Sequence, residues 1–301
     1  MIIEELLSIF EGNEKLSSSQ IQKRLNDLMA GKKLHEQIGS LKKYRSDAKG
    51  KIASSISIKF QQYTLYFLFH DEVVDMIGEA WRQSPEKDIT QFRINATTKL
   101  YNKSRQIMLD LLALFETGAL TSTLTLWRSM YENFVFAKYL LSVSDEESDR
   151  FNDYTVIQMK KISKEYAKTN KKKIAAILDK YGNDFLKDYG WMIECKKKSI
   201  DGIITYTKEK EFDDYYRLSS MQIHASPFSV NKSIFHDGDH GSANMLGVFR
   251  EGMELPFNLA IKVMSRFAEM MIGFFLKDEM KEMLLLANNL VSNSAAMPVE
   301  D

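Results

Sequence analysis

The fold is decided by residues 124–141, which read LTLWRSMYENFVFAKYLL. On a helix over about residues 120–141, the apolar side chains of this stretch cover nearly the whole circumference instead of one stripe. No apolar run in the sequence approaches the roughly 18 residues that a membrane-spanning helix needs. A helix of this kind therefore belongs at the centre of a helical core.

The rest of the chain favours helices as well. Its 301 residues include only 4 Pro and 14 Gly, a balance that favours helices over a many-stranded sheet. Residues 56–60 alternate between apolar and polar like a strand, but no second strand lies near enough to pair with them, so we assign 52–83 to helix. We predict an all-α fold, a bundle of long packed helices, with an N-terminal helical appendage over 1–86, a core domain over 87–292 and a disordered tail over 293–301.

Local signals predict where helices begin and end. Ser17 to Gln20 resembles a capping box. Thr117-Gly118 ends a helix, because glycine adopts the C-cap conformation easily. Ser144, followed by three acids, begins a helix that runs to about Thr169. Further helices are predicted over 211–225, after Pro256 and over about 277–291, and the stretch 226–252 is predicted to be a loop.

The charges balance over the whole chain but not along it. Lys plus Arg and Asp plus Glu both number 41, which excludes a protein that coats polyanions over its whole surface. Residues 160–210, however, contain 14 lysines, no arginine and seven acids. With Tyr166, Tyr181 and Trp191 among them, these lysines fit either contacts to a phosphate backbone or, more commonly, ordinary exposed helix faces.

The single cysteine and the N-terminus bear on the cellular compartment. Cys195 is alone, which excludes an intramolecular disulfide and a thiolate zinc cluster. Three lysines follow it and favour a thiolate, but we interpret it as a partly buried small residue. Met1 to Leu6 lacks the basic region of a signal peptide. We predict a cytoplasmic protein with no membrane partner, and a homo-oligomer stays open.

Two charged residues stand out on the central helix. Arg128 and Glu132 lie one turn apart, and charges that leave water must be paired. Either they form a structural ion pair, or Arg128 is a positioned guanidinium that lines a polar pocket, with Glu132 orienting it or acting as a base. Both interpretations stay open.

A second polar stripe lies on the helix over 211–225. Tyr216, Ser220 and His224 follow one another at four-residue steps, so they share one face. His224 either caps the end of its helix or acts in chemistry, although the sequence contains no nucleophile elbow. We predict that one polar pocket brings together Arg128, Glu132, Tyr216, Ser220 and His224.

The remaining motif search yields no cofactor signature. His236-Asp237-Gly238-Asp239-His240 holds four side chains that can ligate metals, but its glycine argues against the helical spacing that zinc sites use. A surface loop is favoured there over a metal site. No phosphate-binding glycine loop or His-Glu-x-x-His motif is present. We predict no metal and no cofactor.

An ordered set of residues resembles a known family. The set consists of Arg128, Tyr131 and Glu132, then Arg150, Tyr154 and Trp191, then Tyr216, Ser220 and His224. It resembles a bacterial all-helical family, domain of unknown function five-six-seven-seven, over roughly residues 90–275. The resemblance implies a helical fold but no activity. We take Tyr131, Arg150, Tyr154 and Trp191 from this set as candidate binding residues beside Tyr216 and Ser220.

A more distant similarity is to HEPN-type helical proteins, many of which are metal-independent ribonucleases. Their signature is Arg, four to six residues, then His, and Arg217 and His224 enclose six residues. Leu218 departs from the polar residue usual after that Arg. The similarity implies that His224 acts as general acid or base, while Arg217 or Arg128 stabilises the phosphate and the lysines of 160–210 hold RNA.

Two functions follow from these observations. The first is a non-catalytic ligand-sensing or interaction domain, in phage defence, whose Arg/Glu/His pocket binds a small anionic ligand. The alternative is a HEPN-like ribonuclease effector of the toxin or abortive-infection type, with RNA as its partner. The non-catalytic function is slightly favoured, and whether the protein is an enzyme stays open.

Overall fold

The computed structural model describes residues 58–83, 91–117, 122–223, 234–237, 241–244, 254–276 and 278–296, with a few positions between 17 and 36. Ten α-helices account for most of these described residues, which confirms the all-α prediction. They are α1 (Ile58–Gln83), α2 (Gln91–Thr117), α3 (Thr123–Ser142), α4 (Asp145–Ile162), α5 (Lys164–Thr169), α6 (Lys171–Tyr181), α7 (Ile200–Thr207), α8 (Asp213–Ile223), α9 (Glu254–Phe275) and α10 (Asp278–Ala295). A 3₁₀ turn covers Asn183–Leu186.

The chain divides into two compact units. Unit 1 comprises Met1–Pro85, Asn102–Tyr131 and Tyr216–Asp301, and unit 2 comprises Glu86–Tyr101 and Glu132–Tyr215. This division differs from the predicted boundary at residue 86. Helix α1, which the sequence analysis placed in an N-terminal appendage, packs within unit 1 against α9 and α10.

Aromatic side chains build the core of unit 1. Tyr63, Tyr66 and Phe69 of α1 are fully buried. The ring of Tyr63 lies 4.7 Å from that of Phe257 on α9, and its hydroxyl donates to the carbonyl oxygen of Met108 at 3.3 Å. The hydroxyl of Tyr66 donates to the carbonyl oxygen of Ile261 at 3.0 Å, so both phenols of α1 have the acceptor that buried tyrosines require. Large rings with satisfied hydroxyls account for the tight packing of α1 inside the unit.

Unit 2 contains a helix break that the sequence analysis missed. The predicted helix from Ser144 to about Thr169 ends at Ile162 and restarts at Lys164. Ser163 adopts an extended conformation, and its Oγ accepts a hydrogen bond from the backbone N–H of Tyr166 at 3.1 Å. A serine in this extended conformation caps the N-terminus of a new helix and thereby ends the preceding one. The prediction of one continuous helix is therefore wrong.

Other helix boundaries follow the sequence signals closely. Helix α2 ends at Thr117, as predicted. Helix α9 begins two residues before Pro256, which the first turn tolerates because no N–H is needed there. The capping box is present: Ser17 N–H donates to Gln20 Oε1 at 2.8 Å, and Gln20 N–H donates to Ser17 Oγ at 3.4 Å.

The C-terminal third departs from prediction at two places. Ile234–Asp237 (β1) and Gly241–Asn244 (β2) pair antiparallel as a hairpin inside the stretch predicted to be a loop. Helix α10 continues to Ala295, so the first residues of the predicted tail are helical. Within the described ranges, no helix is both long enough and apolar enough to cross a membrane.

Candidate functional site

The candidate site lies on helix α3, whose side chains are largely enclosed by the rest of the protein. From Thr123 to Leu141, every side chain is buried or half-buried, as its apolar circumference predicts. Arg128 is half-buried on this helix. A guanidinium in such a place loses part of its hydration, so its position depends on the polar groups that surround it.

Two hydroxyls of α8 hold the Arg128 guanidinium. Nη1 donates to the Oγ of Ser220 at 2.8 Å, and Nη2 donates to the Oη of Tyr216 at 2.9 Å. The guanidinium carbon also lies 4.5 Å from the centre of the Tyr216 ring, within the range of a cation–π contact. Arg128, Tyr216 and Ser220 all belong to unit 1, and together they form what we call the Arg128 cluster.

Aromatic packing fixes the ring that carries this contact. Tyr216 is buried, and its ring centre lies 5.7 Å from that of the fully buried Tyr131. Tyr131 is in turn stacked on Trp127, with ring centres 5.7 Å apart and planes 2° from parallel. Because Trp127, Arg128 and Tyr131 share α3, one helix supplies both the cation and the ring against which Tyr216 packs. Tyr131 thus supports the cluster.

The structure brings together three of the five residues predicted to converge. Glu132, one turn beyond Arg128, is half-buried and belongs to unit 2. Arg217 is exposed on α8, beside the buried Tyr216. His224 lies outside the described residues, which on α8 end at Ile223.

The chemistry of the Arg128 cluster is that of binding. Ser220 Oγ accepts from Arg128 and donates to the Tyr216 carbonyl oxygen at 2.9 Å. Neither of these partners takes a proton from a serine hydroxyl, so these contacts do not activate it as a nucleophile. The guanidinium of Arg128, by contrast, presents a planar fork of N–H donors, a geometry that suits carboxylate and phosphate oxygens.

The other candidate binding residues lie in unit 2 and contact the chain's own backbone. Arg150 Nε donates to the carbonyl oxygen of Trp191 at 3.0 Å, and its Nη2 donates to that of Gly190 at 2.9 Å. Tyr154 Oη donates to the carbonyl oxygen of Lys187 at 2.7 Å. Trp191 is itself buried. These three side chains hold the segment 187–191 against α4, which is a structural task.

A buried acid that the sequence analysis missed anchors the end of the same segment. Glu147 is fully buried and accepts from the backbone N–H groups of Ile193 at 2.7 Å and Glu194 at 3.1 Å. Tyr139 Oη also donates to it, and burial and this carboxylate raise the pKa of Tyr139 well above its usual range. From the sequence, Glu147 is predicted only to be one of three acids in the first turn of a helix. Its spacing of four and seven residues from Phe151 and Tyr154 placed it on the inner stripe of α4.

Two further titratable groups are buried. His70 on α1 is fully buried, and its pKa is lowered well below the usual value, first by burial and then by the positive charge of Arg105. Cys195 is buried, its Sγ lies 3.1 Å from the Lys197 carbonyl oxygen, and burial raises its pKa. The interpretation of Cys195 as a buried small residue therefore fits better than that of a reactive thiolate.

Across the described ranges, no three side chains of His, Cys, Asp and Glu lie close enough together to hold a metal ion. His236 and Asp237 form the end of β1, and the rest of the motif, residues 238–240, lies outside these ranges.

Residues 95–242 match a family whose description reads "Family of unknown function (DUF5677)". No curated protein matches the chain, and no solved structure matches it. The matched range contains the whole Arg128 cluster and ends within β2, whereas the resemblance is predicted to extend over roughly residues 90–275. Over residues 95–242 the chain is therefore similar to this family of unknown function, as the ordered polar residues predicted.

Proposed function

We propose that this protein is a ligand-sensing domain whose Arg128 cluster binds a small anionic ligand. One observation carries the proposal: a half-buried guanidinium is held by two neutral hydroxyl oxygens, at 2.8 and 2.9 Å, and by an aromatic face. Those bonds orient the fork of Arg128 from a single neighbouring helix. An oxyanion that reaches it gains a charge-assisted hydrogen bond in surroundings less polar than water.

Stability alone gives a weaker reason for this arrangement. On a helix as enclosed as α3, a partly desolvated cation carries a cost that Leu or Met would avoid, and the contacts of Arg128 must offset that cost. A fixed guanidinium, on the other hand, lowers the entropy that a ligand-binding group loses on binding. Tyr216 and Ser220 supply that fixation from a single helix.

Calorimetry and thermal melts of the full chain test the proposal. The probes are inorganic phosphate, citrate and AMP, which present phosphate and carboxylate oxygens. A probe at about 100 times its dissociation constant should stabilise the protein by about 2.7 kcal/mol, which raises the melting temperature by several degrees. Arg128→Met should abolish the effect, and Arg128→Lys should weaken binding at least about tenfold, since lysine lacks the planar fork.

Arg82→Met is the matched control for Arg128→Met. Arg82 is exposed on α1 in the same unit and pairs with Glu79 at 3.0 Å, so its loss removes an equal charge away from the cluster. Binding in this variant should equal that of the unmodified protein. The proposal is wrong if no probe binds, or if the Arg128→Met protein binds as tightly as the control.

A second candidate is the HEPN-like ribonuclease effector, acting in phage defence. The observation that favours it is the exposure of Arg217, which α8 presents to solvent seven residues before His224. In this function His224 either takes the proton of the 2′-hydroxyl that attacks the phosphorus or gives a proton to the 5′-oxygen that leaves, and Arg217 contacts the phosphate. RNA cleavage in the presence of EDTA, lost in both His224→Ala and Arg217→Gln, would support it. Cleavage that persists in His224→Ala would exclude it.

A further inference from the structure

Unit 2 carries a concentrated positive surface between α4 and α6. Residues 160–173 contain seven lysines and a single acid, Glu165, whereas the whole chain is neutral. Almost all of the positive excess of 160–210 therefore lies in these 14 residues. The lysines are Lys160, Lys161, Lys164, Lys168, Lys171, Lys172 and Lys173, and we call them the lysine face. They end α4, line α5 and begin α6, three helices that pack against one another.

The lysine face is open to solvent and largely unneutralised. Lys160 is half-buried, and the other six lysines are exposed. Lys161 pairs with Asp188 at 2.7 Å. Among the residues that the structure describes, the remaining six form no ion pair. Three other lysines of unit 2, Lys180, Lys187 and Lys197, each lie within 3.5 Å of an aspartate.

Folding disfavours several of these charges at their positions. Lys171, Lys172 and Lys173 occupy the first turn of α6, which contains no acid, although helices favour negative charge at that end. Lys164 and Lys168 are like charges four residues apart on α5, a helix without a single buried residue. The last turns of α4 and α5 do favour the lysines that they hold, but helix stability does not account for the whole cluster.

The aromatic residues of this region indicate which kind of polyanion fits the lysine face. Phe185 and Trp191 are 0% and 3% exposed, and the Tyr181 hydroxyl is bound to Asp153 at 2.9 Å. Tyr166, which lies among the lysines on α5, is half-buried. Proteins that bind single strands stack exposed aromatic rings on successive bases, and one half-buried ring does not supply such a row. Phosphate contacts therefore remain as the main means of binding. We infer that the lysine face binds the phosphate backbone of a double-stranded nucleic acid without reading its bases.

Fluorescence anisotropy with the full chain tests the inference. The probes are a short labelled RNA duplex, the DNA duplex of the same sequence and its single strands, in about 50 to about 200 mM salt. The duplexes should bind at least as tightly as the single strands, with a strong salt dependence. Lys164→Gln/Lys168→Gln/Lys172→Gln should weaken duplex binding at least about tenfold and lower the salt slope by about 2 to 3. The RNA and DNA arms show which backbone is preferred.

The matched control is Lys180→Gln/Lys187→Gln/Lys197→Gln. It removes the same charge from unit 2, but from lysines that aspartates already neutralise, so duplex affinity should stay close to that of the unmodified protein. If both triple variants lost the same duplex affinity, net charge alone would explain the binding, and the inference would be overturned. Absent duplex binding, or tighter binding of single strands, would overturn it as well.

A lipid surface is the competing outcome. Ile162 is 79% exposed beside the lysines, and an exposed apolar side chain among lysines is also a feature of lipid-binding surfaces. The protein is therefore sedimented with anionic phosphatidylglycerol vesicles. Ile162→Ser should leave duplex binding unchanged. Vesicle binding that falls in Ile162→Ser and in the lysine variant, with no duplex binding, would assign the face to lipid and overturn the inference.

Discussion

Arg128 contacts Tyr216 twice: its Nη2 donates to the phenol oxygen at 2.9 Å, and its guanidinium carbon lies 4.5 Å from the centre of the same ring. The two contacts are separable, because phenylalanine keeps the ring and loses the oxygen. A cation that is fixed in both direction and distance to one ring is a rigid element. That rigidity is what the proposed binding of an anion requires.

Tyr216→Phe should destabilise the protein by about 1 kcal/mol, the usual net value of one hydrogen bond. Arg128→Met should cost more, because it also removes the bond to Ser220 and the cation–π contact. If the two residues act together, the double variant should fall short of additivity by about 0.5 to 2 kcal/mol. Urea unfolding followed by circular dichroism measures all three variants. Additive losses would show that the contact contributes nothing to stability.

The Arg128 cluster was largely predictable from the sequence, and for identifiable reasons. Four-residue steps place Tyr216 and Ser220 on one helical face, and a charge on an enclosed helix needs polar neighbours. The sequence could not show that Arg128 reaches Ser220, which is 92 positions away along the chain. Long-range choices of this kind depend on tertiary packing.

Other contacts that the sequence does not reveal have the same origin. Helix α1, which lies in the predicted appendage over 1–86, packs its rings on α9, far along the chain. Because acids are common in first turns, Glu147 is predicted only to help begin its helix. Its true role depends on backbone N–H groups 46 and 47 positions away. Local rules describe helices well and their partners poorly.

Replacing Glu147 by glutamine should destabilise unit 2 strongly. The carboxylate accepts from two backbone N–H groups and from Tyr139, and a glutamine amide would present an N–H₂ donor to at least one of these donors. Two buried donors that face each other without an acceptor lower the free energy of unfolding by about 2 to 4 kcal/mol. Glu146→Gln is the control, since the neighbouring side chain is exposed. Equal denaturation midpoints for the two variants would contradict the role of Glu147 as an anchor.

His70 should make the protein less stable in mild acid. Its folded-state pKa is held below the usual value of about 6.5 by burial and by Arg105. Below that pH the histidine binds a proton in the unfolded chain but stays neutral in the folded protein. The contribution of His70 to the free energy of unfolding is therefore complete above about pH 6.5 and is lost as the pH falls. The slope for one proton approaches 1.4 kcal/mol per pH unit. Melts from neutral pH to about pH 5 should show a shallower decline in His70→Gln; an identical decline would refute this assignment.

Two glycines should respond to alanine in opposite directions, although both lie in helices. Gly78 in α1 has open space where a Cβ would stand, so Gly78→Ala should stabilise the protein by about 0.5 to 1 kcal/mol through helix propensity. At Gly202 in α7, a Cβ would overlap the Lys197 carbonyl oxygen and lie 2.9 Å from Cys195 Sγ.

Gly202→Ala should therefore cost at least about 2 kcal/mol, because a backbone carbonyl cannot move aside as a flexible side chain does. It should also expose the Cys195 thiol, whose Sγ packs at the same point, to reaction with a thiol reagent under native conditions. Thermal melts and the rate of thiol labelling check both effects against Gly78→Ala. If alanine stabilised both positions alike, propensity alone would govern them, and the close approach of residues 195–197 to α7 would be wrong.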